Sequence, residues 1–504
     1  MFTWRKPRTI VRARQTFLFV VKRAIYGVPK VERKTTRNRD WEIFLSSAEA
    51  KNERERERGR FSICYPKLLF LVSLSREKKN NTKLLTTTRW CAHTNYFARG
   101  GGATNSICLR KGRMTTSVPT TTRKNDVNED EMKKKVMMVP FPHLKDVQTY
   151  EPSTFLYNPG ESHPQKIKKQ DWIRVFRMAL PEFTKRAKMD ETVEDADVKS
   201  EVFREQFEKY LNDLNENEDE KMNVIRMCRF RDECLRRLGF YDCFRTVKRE
   251  ENMKALEALP RGLERLEEEN AGILELVKGV FAGNIFDLGA AASQALFTDG
   301  DKGDEDDILK SFFETRDTKA DVFVVNNFDA LKERWNDLTR VHEKCCIFVD
   351  NAGADVILGV LPLAREMLKR GTKVVLCAND VPSINDITIK ELEELVFPTL
   401  LRMNDKDNVF KKAIESRQLS CIGSGSDLPV IDLREISEPC ANECLDCDLV
   451  VLIGMGRGIE TNLRAEFSID RINLGMVKHE EVAQLLGGPL YSCVCAFNAG
   501  ANTV

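Results

Sequence analysis

A chain of 504 residues, 42% hydrophobic and 31% charged with a formal net charge of +2, is longer than the usual single domain and can bury a full α/β core with added helices. The near-neutral total excludes a chain that is basic throughout, and the short apolar run Phe17 to Val21 cannot span a bilayer, so no membrane partner is expected. The total also hides a division, because residues 1–135 hold 32 Lys or Arg against 12 Asp or Glu, net +20, which leaves −18 for the remainder.

Residues 1–135 are rich in Arg, Asn and Thr, with a charge run from Lys51 to Arg60, threonine tracts around Thr86 and Thr120, and no sustained apolar period. Such a composition predicts a basic, low-complexity, disordered extension. It offers no defined basic groove or helix, so no nucleic-acid partner is expected. A cytoplasmic location follows from the lack of a secretory signal, and the 15 cysteines are expected to be reduced thiols. An organelle-targeting arm is the alternative that the leading arginines leave open, against which Asp40, Glu42 and the mixed-charge run count.

From residue 136 the pattern changes. Trp172, Phe176, Leu180 and Phe183 recur at helical spacing, as do Phe203, Phe207, Tyr210 and Leu214. A third stripe, Val224, Cys228, Leu235 and Leu238, ends near Gly239, and a fourth helix is expected over roughly Leu263 to Val280. These aromatics read as core residues. Asn284 and Asp287, three apart, are expected to share one face at the start of a following helix, with a solvated helix start as the alternative.

The most informative segment runs from Cys345 to Asp355. Cys345 to Val349 reads as a buried strand that ends directly in the hard oxygen donors Asp350 and Asn351. Ile357, Leu358, Leu361, Ala364 and Leu368 then follow helical spacing, Gly371 ends the helix, and Lys373 to Ala378 forms a second strand. The polar loop after it carries Asn385-Asp386-Ile387-Thr388. Parallel strands deliver both loops to one sheet edge, so Asp350, Asn351 and Asp386 can share one divalent ion, with positions left for water and substrate phosphate. Neither loop holds a histidine, and the oxygen set suits magnesium or manganese better than zinc. Helix capping is what Asp and Asn commonly do at such a place, and it is the alternative. Asp355, five positions beyond Asp350, is either a further acid of the site or an outward first-turn charge.

Two more loops point to an anion. Leu419 to Ile422 reads as a strand followed by Gly423-Ser424-Gly425-Ser426-Asp427, whose small residues let backbone amides approach a ligand. Leu449 to Ile453 runs into Gly454-Met455-Gly456-Arg457, where Arg457 can clamp phosphate with its planar fork; a glycine turn with a surface arginine is the alternative. After a third apolar run, Leu474 to Val477, Lys478 is either a point charge at the site or a surface lysine. Cys440-x3-Cys444-x2-Cys447 is the one cysteine cluster, and three sulfurs without a nearby histidine fall short of a zinc set. Packing roles are expected for Cys493 and Cys495.

Four motifs in order, Phe281-Ala282-Gly283-Asn284-Ile285-Phe286-Asp287, Asp350-Asn351-Ala352-Gly353, Asn385-Asp386-Ile387-Thr388 and Gly454-Met455-Gly456-Arg457, resemble the metal-dependent damage-control phosphatases, formerly a domain of unknown function. The pattern is nearest to the plant members and to the phosphatase domain of pantothenate kinase 4. The resemblance runs from about Leu144 to the C-terminus. It implies a Rossmann-like open α/β sheet with an N-terminal helical subdomain, here residues 136–320 ahead of a catalytic core over 321–504. It implies hydrolysis of phosphomonoesters of damaged or excess metabolites, such as 4'-phosphopantetheine and its oxidised forms or sugar phosphates, with manganese, magnesium, cobalt or nickel as cofactor. Carried over, Asp350, Asn351 and Asp386 are the metal ligands. Asp350, Asp355, Asp386, Arg457 and Lys478 are the catalytic candidates, and Asn284, Asp287, Ser424, Gly454 and Gly456 surround the substrate. The chain departs from the pattern at Ile453, where relatives usually carry an acid; a binding module with impaired catalysis is the alternative that this departure raises. The physiological substrate, the preferred ion and the number of subunits have no linear signature.

Overall fold

Apolar runs such as Cys345–Val349, Val374–Ala378 and Leu449–Ile453 become strands because their alternate side chains find cores on opposite faces of one sheet. In the computed structural model the described residues are 72–73, 87–88, 136–152, 167–216, 224–285 and 305–500. Met1–Thr122 cluster as one unit, in which Val72–Ser73 pairs antiparallel with Thr87–Thr88. Otherwise the expectations for residues 1–135, and that for Asp287, lie outside the described residues.

Arg123–Val504 form the second unit. In chain order it contains β1 (Met138–Val139), α1 (Lys169–Lys188), α2 (Ala196–Glu216), α3 (Val224–Arg237), α4 (Arg245–Glu268), α5 (Ile273–Ile285), α6 (Glu305–Thr318), β2 (Phe323–Asn326) and α7 (Phe328–Asn336). After these come β3 (Lys344–Phe348), α8 (Leu361–Lys369), β4 (Lys373–Ala378), β5 (Leu419–Gly423), β6 (Ile436–Ser437), α9 (Glu438–Glu443), β7 (Leu449–Ile453), β8 (Asp470–Met476) and β9 (Cys493–Asn498). Short helical pieces join several of them. Three are π-helical turns, Asp355–Val360, Leu392–Val396 and Met455–Thr461.

The central sheet has seven strands in the order β2-β9-β8-β7-β3-β4-β5. All neighbours are parallel except β8 and β9, a mostly parallel open α/β sheet as the resemblance implies. Cys345, Ile347 and Val349 join Val374, Leu376, Leu449 and Val451 in one core, against α4, α5 and α8. Cys346 and Phe348 face the other way, with Val375, Cys377, Val450 and Leu452, under the 136–150 segment and α9. A third core joins α1–α3 to β9 through Val494 and Ala496. Each such side chain contributes about 1.5–3 kcal/mol on burial. No helix of the described residues is long and apolar enough to cross a membrane.

Two expectations need correction. The helix over Leu263 to Val280 is two helices, because Asn270 takes φ +49° ahead of Gly272 and breaks α4 from α5. Asn284 therefore lies in the last turn of α5 and does not open a helix: the apolar run from Ile273 carries the helix through Ile285.

Candidate active site

Because β3, β4 and β7 are parallel neighbours, the loops at their carboxyl ends open side by side, as in other open α/β sheets. Asn351 and Asp386 form an isolated bridge, and the Ile387 amide donates to the Asp350 carbonyl at 3.0 Å. The two acidic loops are thus tied by backbone. Asp350, Asn351, Asp355 and Asp386 are all buried, which removes both alternatives for them. Asp350 and Asn351 cap no helix, and Asp355 points inward from a turn whose preceding residue makes no side-chain cap.

The amides of two asparagines organise the acids. Asn284 Nδ2 donates to Asp350 Oδ2 at 3.1 Å and Asp355 Oδ2 at 2.8 Å. Asn351 Nδ2 donates to the same two oxygens at 3.0 and 2.9 Å. Asn284 is itself held by the Met476 amide, which donates to its Oδ1 at 3.1 Å. α5 can come this close because Gly283 has no side chain: a Cβ there would lie 2.8 Å from the Ala354 carbonyl oxygen. Burial, and then the neighbouring Asp350 charge, push the Asp355 carboxyl up to about 7, with the Lys478 ammonium opposing the rise.

Arg457 projects from the π-helical turn after β7 and is fully enclosed. Nη1 donates to Asp350 Oδ1, while Nη2 donates to Asp386 Oδ2 at 2.5 Å and to Asn379 Oδ1 at 2.9 Å. One guanidinium thus spans the two carboxylates. Burial disfavours its charge, but Asp386 and Asp350 outweigh burial and hold its pKa above the ordinary value. Gly454, at φ +88°, is obligatory here, since a Cβ would overlap the Asp350 carboxylate, and one at Gly456 would overlap the Pro429 carbonyl. Lys478 is buried, its amide on Met455 Sδ at 3.1 Å. Ile453 fills a fully buried position in the core beneath these loops.

Ser424 stands apart. Its loop turns the Gly425 amide onto the Asp380 carboxylate, so the chain's own acid takes the anion's place, and Ser424 does not line the cleft described next.

That cleft is lined by Asp350, Asn351 and Asp386 and by an apolar wall of Trp172, Phe176, Ala179 and Phe183 from α1. Arg231 of α3 also lines it. Its Nε donates to Asp232 Oδ1 at 2.7 Å, its guanidinium lies 4.6 Å from the Phe183 ring centroid, and its buried Nη2 has no acceptor. His479 Nδ1 meets Glu460 Oε1 at 3.1 Å beside Trp172. Sequence reasoning missed Asn379, Arg231, Glu460 and His479. Asn379 had a signal, since it follows β4 as Asp350 follows the β3 run. Arg231 had none.

The donor set fits a hard divalent cation. Asp350, Asn351, Asp355 and Asp386 offer oxygens, His479 of the same cleft is engaged by Glu460, and Asp355 Oδ1 is buried with no hydrogen-bond donor. The loop is braced from behind: Lys248 Nζ, fully enclosed, reaches the Asp386 carbonyl at 3.3 Å, Glu391 Oε2 at 3.2 Å and Asp242 Oδ2 at 3.1 Å. Ser383 Oγ donates to Asp232 Oδ2 at 2.5 Å.

A family model for the damage-control phosphatase ARMT1-like domain matches residues 175–494. A damage-control phosphatase of Arabidopsis thaliana is 41% identical over 372 residues, 72% of this chain and 97% of that one. Pantothenate kinase 2 of the same plant is 37% identical over 385 residues, 71% of this chain but 41% of the kinase. A 4'-phosphopantetheine phosphatase of Mus musculus is 30% identical over 414 residues, 71% of this chain and 48% of that one.

Proposed function

Because the chain belongs to the damage-control phosphatases with the ARMT1-like domain, a metal-dependent family of phosphatases, we propose that it hydrolyses a 4'-phosphopantetheine-like phosphomonoester whose phosphoryl head meets Asp350, Asp386 and Arg457. The observation that carries this reading is the convergence of two carboxylates, from loops after different strands, on one buried positive charge. Asp350, Asn351 and Asp386 would hold the divalent ion, magnesium or manganese by the chemistry of an all-oxygen set. Bound there, the ion supplies Lewis acidity to the phosphoryl oxygens and neutralises charge that grows during transfer.

The chain's own residues supply the rest. Arg457 brings a planar, permanently charged fork beside the head. Asn284 and Asn351 fix the facing oxygens of Asp350 and Asp355, so the acids hold their geometry through turnover. Asp355, whose carboxyl ionises near neutrality, is suited to exchange a proton with water or the departing oxygen. Lys478 adds positive charge on that side. The organic arm lies along Trp172 and Phe176, and the spare Nη2 of Arg231 faces a cleft where an amide carbonyl of a pantetheine arm would be its acceptor. The match to a phosphatase named for 4'-phosphopantetheine supports this substrate class.

The test uses the full chain with 4'-phosphopantetheine and 4-nitrophenyl phosphate. Hydrolysis is expected with magnesium or manganese, to vanish with chelator, and to fall on the order of 100- to 1,000-fold in Asp350→Ala. A folded protein that turns over neither ester with either ion would overturn the proposal.

A further inference from the structure

Directly beneath the carboxylate loops, five cysteines from three separate segments converge in the core that contains Phe348 and Leu452. Cys346 comes from β3 and Cys377 from β4, on the same face of the sheet. Cys440 lies in α9, Cys444 is its C-cap, and Cys447 follows in the next turn, its amide on the Cys444 carbonyl at 3.1 Å. The sulfurs of Cys346, Cys444 and Cys447 lie within 4.8 Å of one another, and so do those of Cys377, Cys440 and Cys444. All five are free thiols and all are buried. Sequence spacing supplied three of these sulfurs; the sheet supplies the two that give two triads sharing Cys444.

We propose that these five cysteines form a structural site for a thiophilic d10 cation, with zinc(II) as its probe and Cys444 common to both sulfur triads. Metal–sulfur bonds of about 2.3 Å in a tetrahedron place sulfurs about 3.8 Å apart; each triad meets that spacing with three sulfurs, and a sulfur of the other triad moves in on binding to complete the tetrahedron. Sulfur donors and the absence of carboxylate oxygens from both triads select a soft ion over magnesium or manganese. Binding displaces the thiol protons to solvent. The surroundings are pre-shaped: His143 Nε2 meets the Cys444 carbonyl at 2.9 Å, and the Ser437 hydroxyl caps α9 by accepting from the Cys440 amide. An ion here staples α9 to β3 and β4, and so steadies the strands that end in Asp350 and Asn379. Five hydrogen-bonded thiols that merely fill space are the competing description.

The experiment uses the full chain, isolated without chelator from zinc-supplemented cells, alongside Asp350→Ala, Cys444→Ser and Cys447→Ser. Metal content is measured by mass spectrometry, and cobalt(II) is exchanged in for absorption spectra. About one zinc per chain is expected in the parent and in Asp350→Ala. Zinc and the thiolate-to-cobalt charge-transfer band should be lost in Cys444→Ser, with weaker retention in Cys447→Ser, which covers the case that Cys444→Ser does not fold. Chelator should lower the melting temperature of Asp350→Ala. The proposal is overturned by a zinc-free parent, by zinc that follows Asp350 and not the cysteines, by a cobalt spectrum without thiolate absorption, or by a disulfide among the five in alkylated protein.

Discussion

Gly454 shows how little room the site leaves for change. Its φ of +88° and the overlap that any Cβ would make with Asp350 mean that Gly454→Ala must displace the carboxylate or the turn that presents Arg457. A loss of turnover of at least about 100-fold is expected, since misplacement of about an ångström costs that much. Steady-state assays of the folded variant check it, and near-parental kcat would contradict it. Asp355 gives a second residue-scale expectation. Its carboxyl is pushed up to about 7, against about 3.9 in an unfolded chain, so the folded state keeps a proton that the unfolded chain has released. The contribution of this one group to the stability of the chelator-treated protein is therefore full below about pH 4 and is lost as pH rises towards about 7. Asp355→Asn should flatten that decline. Thermal unfolding across the range reads it out, and parallel curves for the two proteins would count against it.

At the scale of elements, the cleft sets α1 against the loops of the sheet. Trp172 and Phe176 stand on the helix because its apolar stripe repeats every turn, and the same stripe both joins the third core and faces the cavity. Trp172→Leu keeps an apolar core residue while it shortens the wall. KM for 4'-phosphopantetheine should rise about 10-fold with kcat little changed, and hydrolysis of glycerol phosphate, which has no arm to rest there, should stay as it was. An equal fall for both esters would mean that the wall serves folding and not substrate binding. α3 enters the same argument through the Arg231–Asp232 pair and the Ser383 hydroxyl bound to Asp232, which couple the helix to the Asp386 loop.

Across the whole molecule, what was legible in the sequence is what local periodicity and strand ends can encode. β4 and β7 begin and end where their apolar runs do, and Asp350, Asn351, Asp386 and Arg457 meet because parallel strands bring their loops to one edge. Order across the sheet was not legible, since nothing in a linear pattern says that β7 lies beside β3 or that β9 turns antiparallel. For the same reason the sequence could not reveal Arg231 in the cleft or Cys346 and Cys377 beside α9: each is an ordinary side chain on a regular element until the fold adds its neighbours. The place of Asn284 is not legible either, because an apolar helix end and a helix start look alike in a linear pattern that hides the break at Asn270.

The two linings of the cleft come from stretches of chain more than a hundred residues apart, acids from strand loops and aromatics from an antecedent helix. Under the proposed function, reaction and choice of ester thus draw on different parts of the polypeptide, so substitutions in the helical wall are expected to change which ester is accepted while the acidic floor stays untouched.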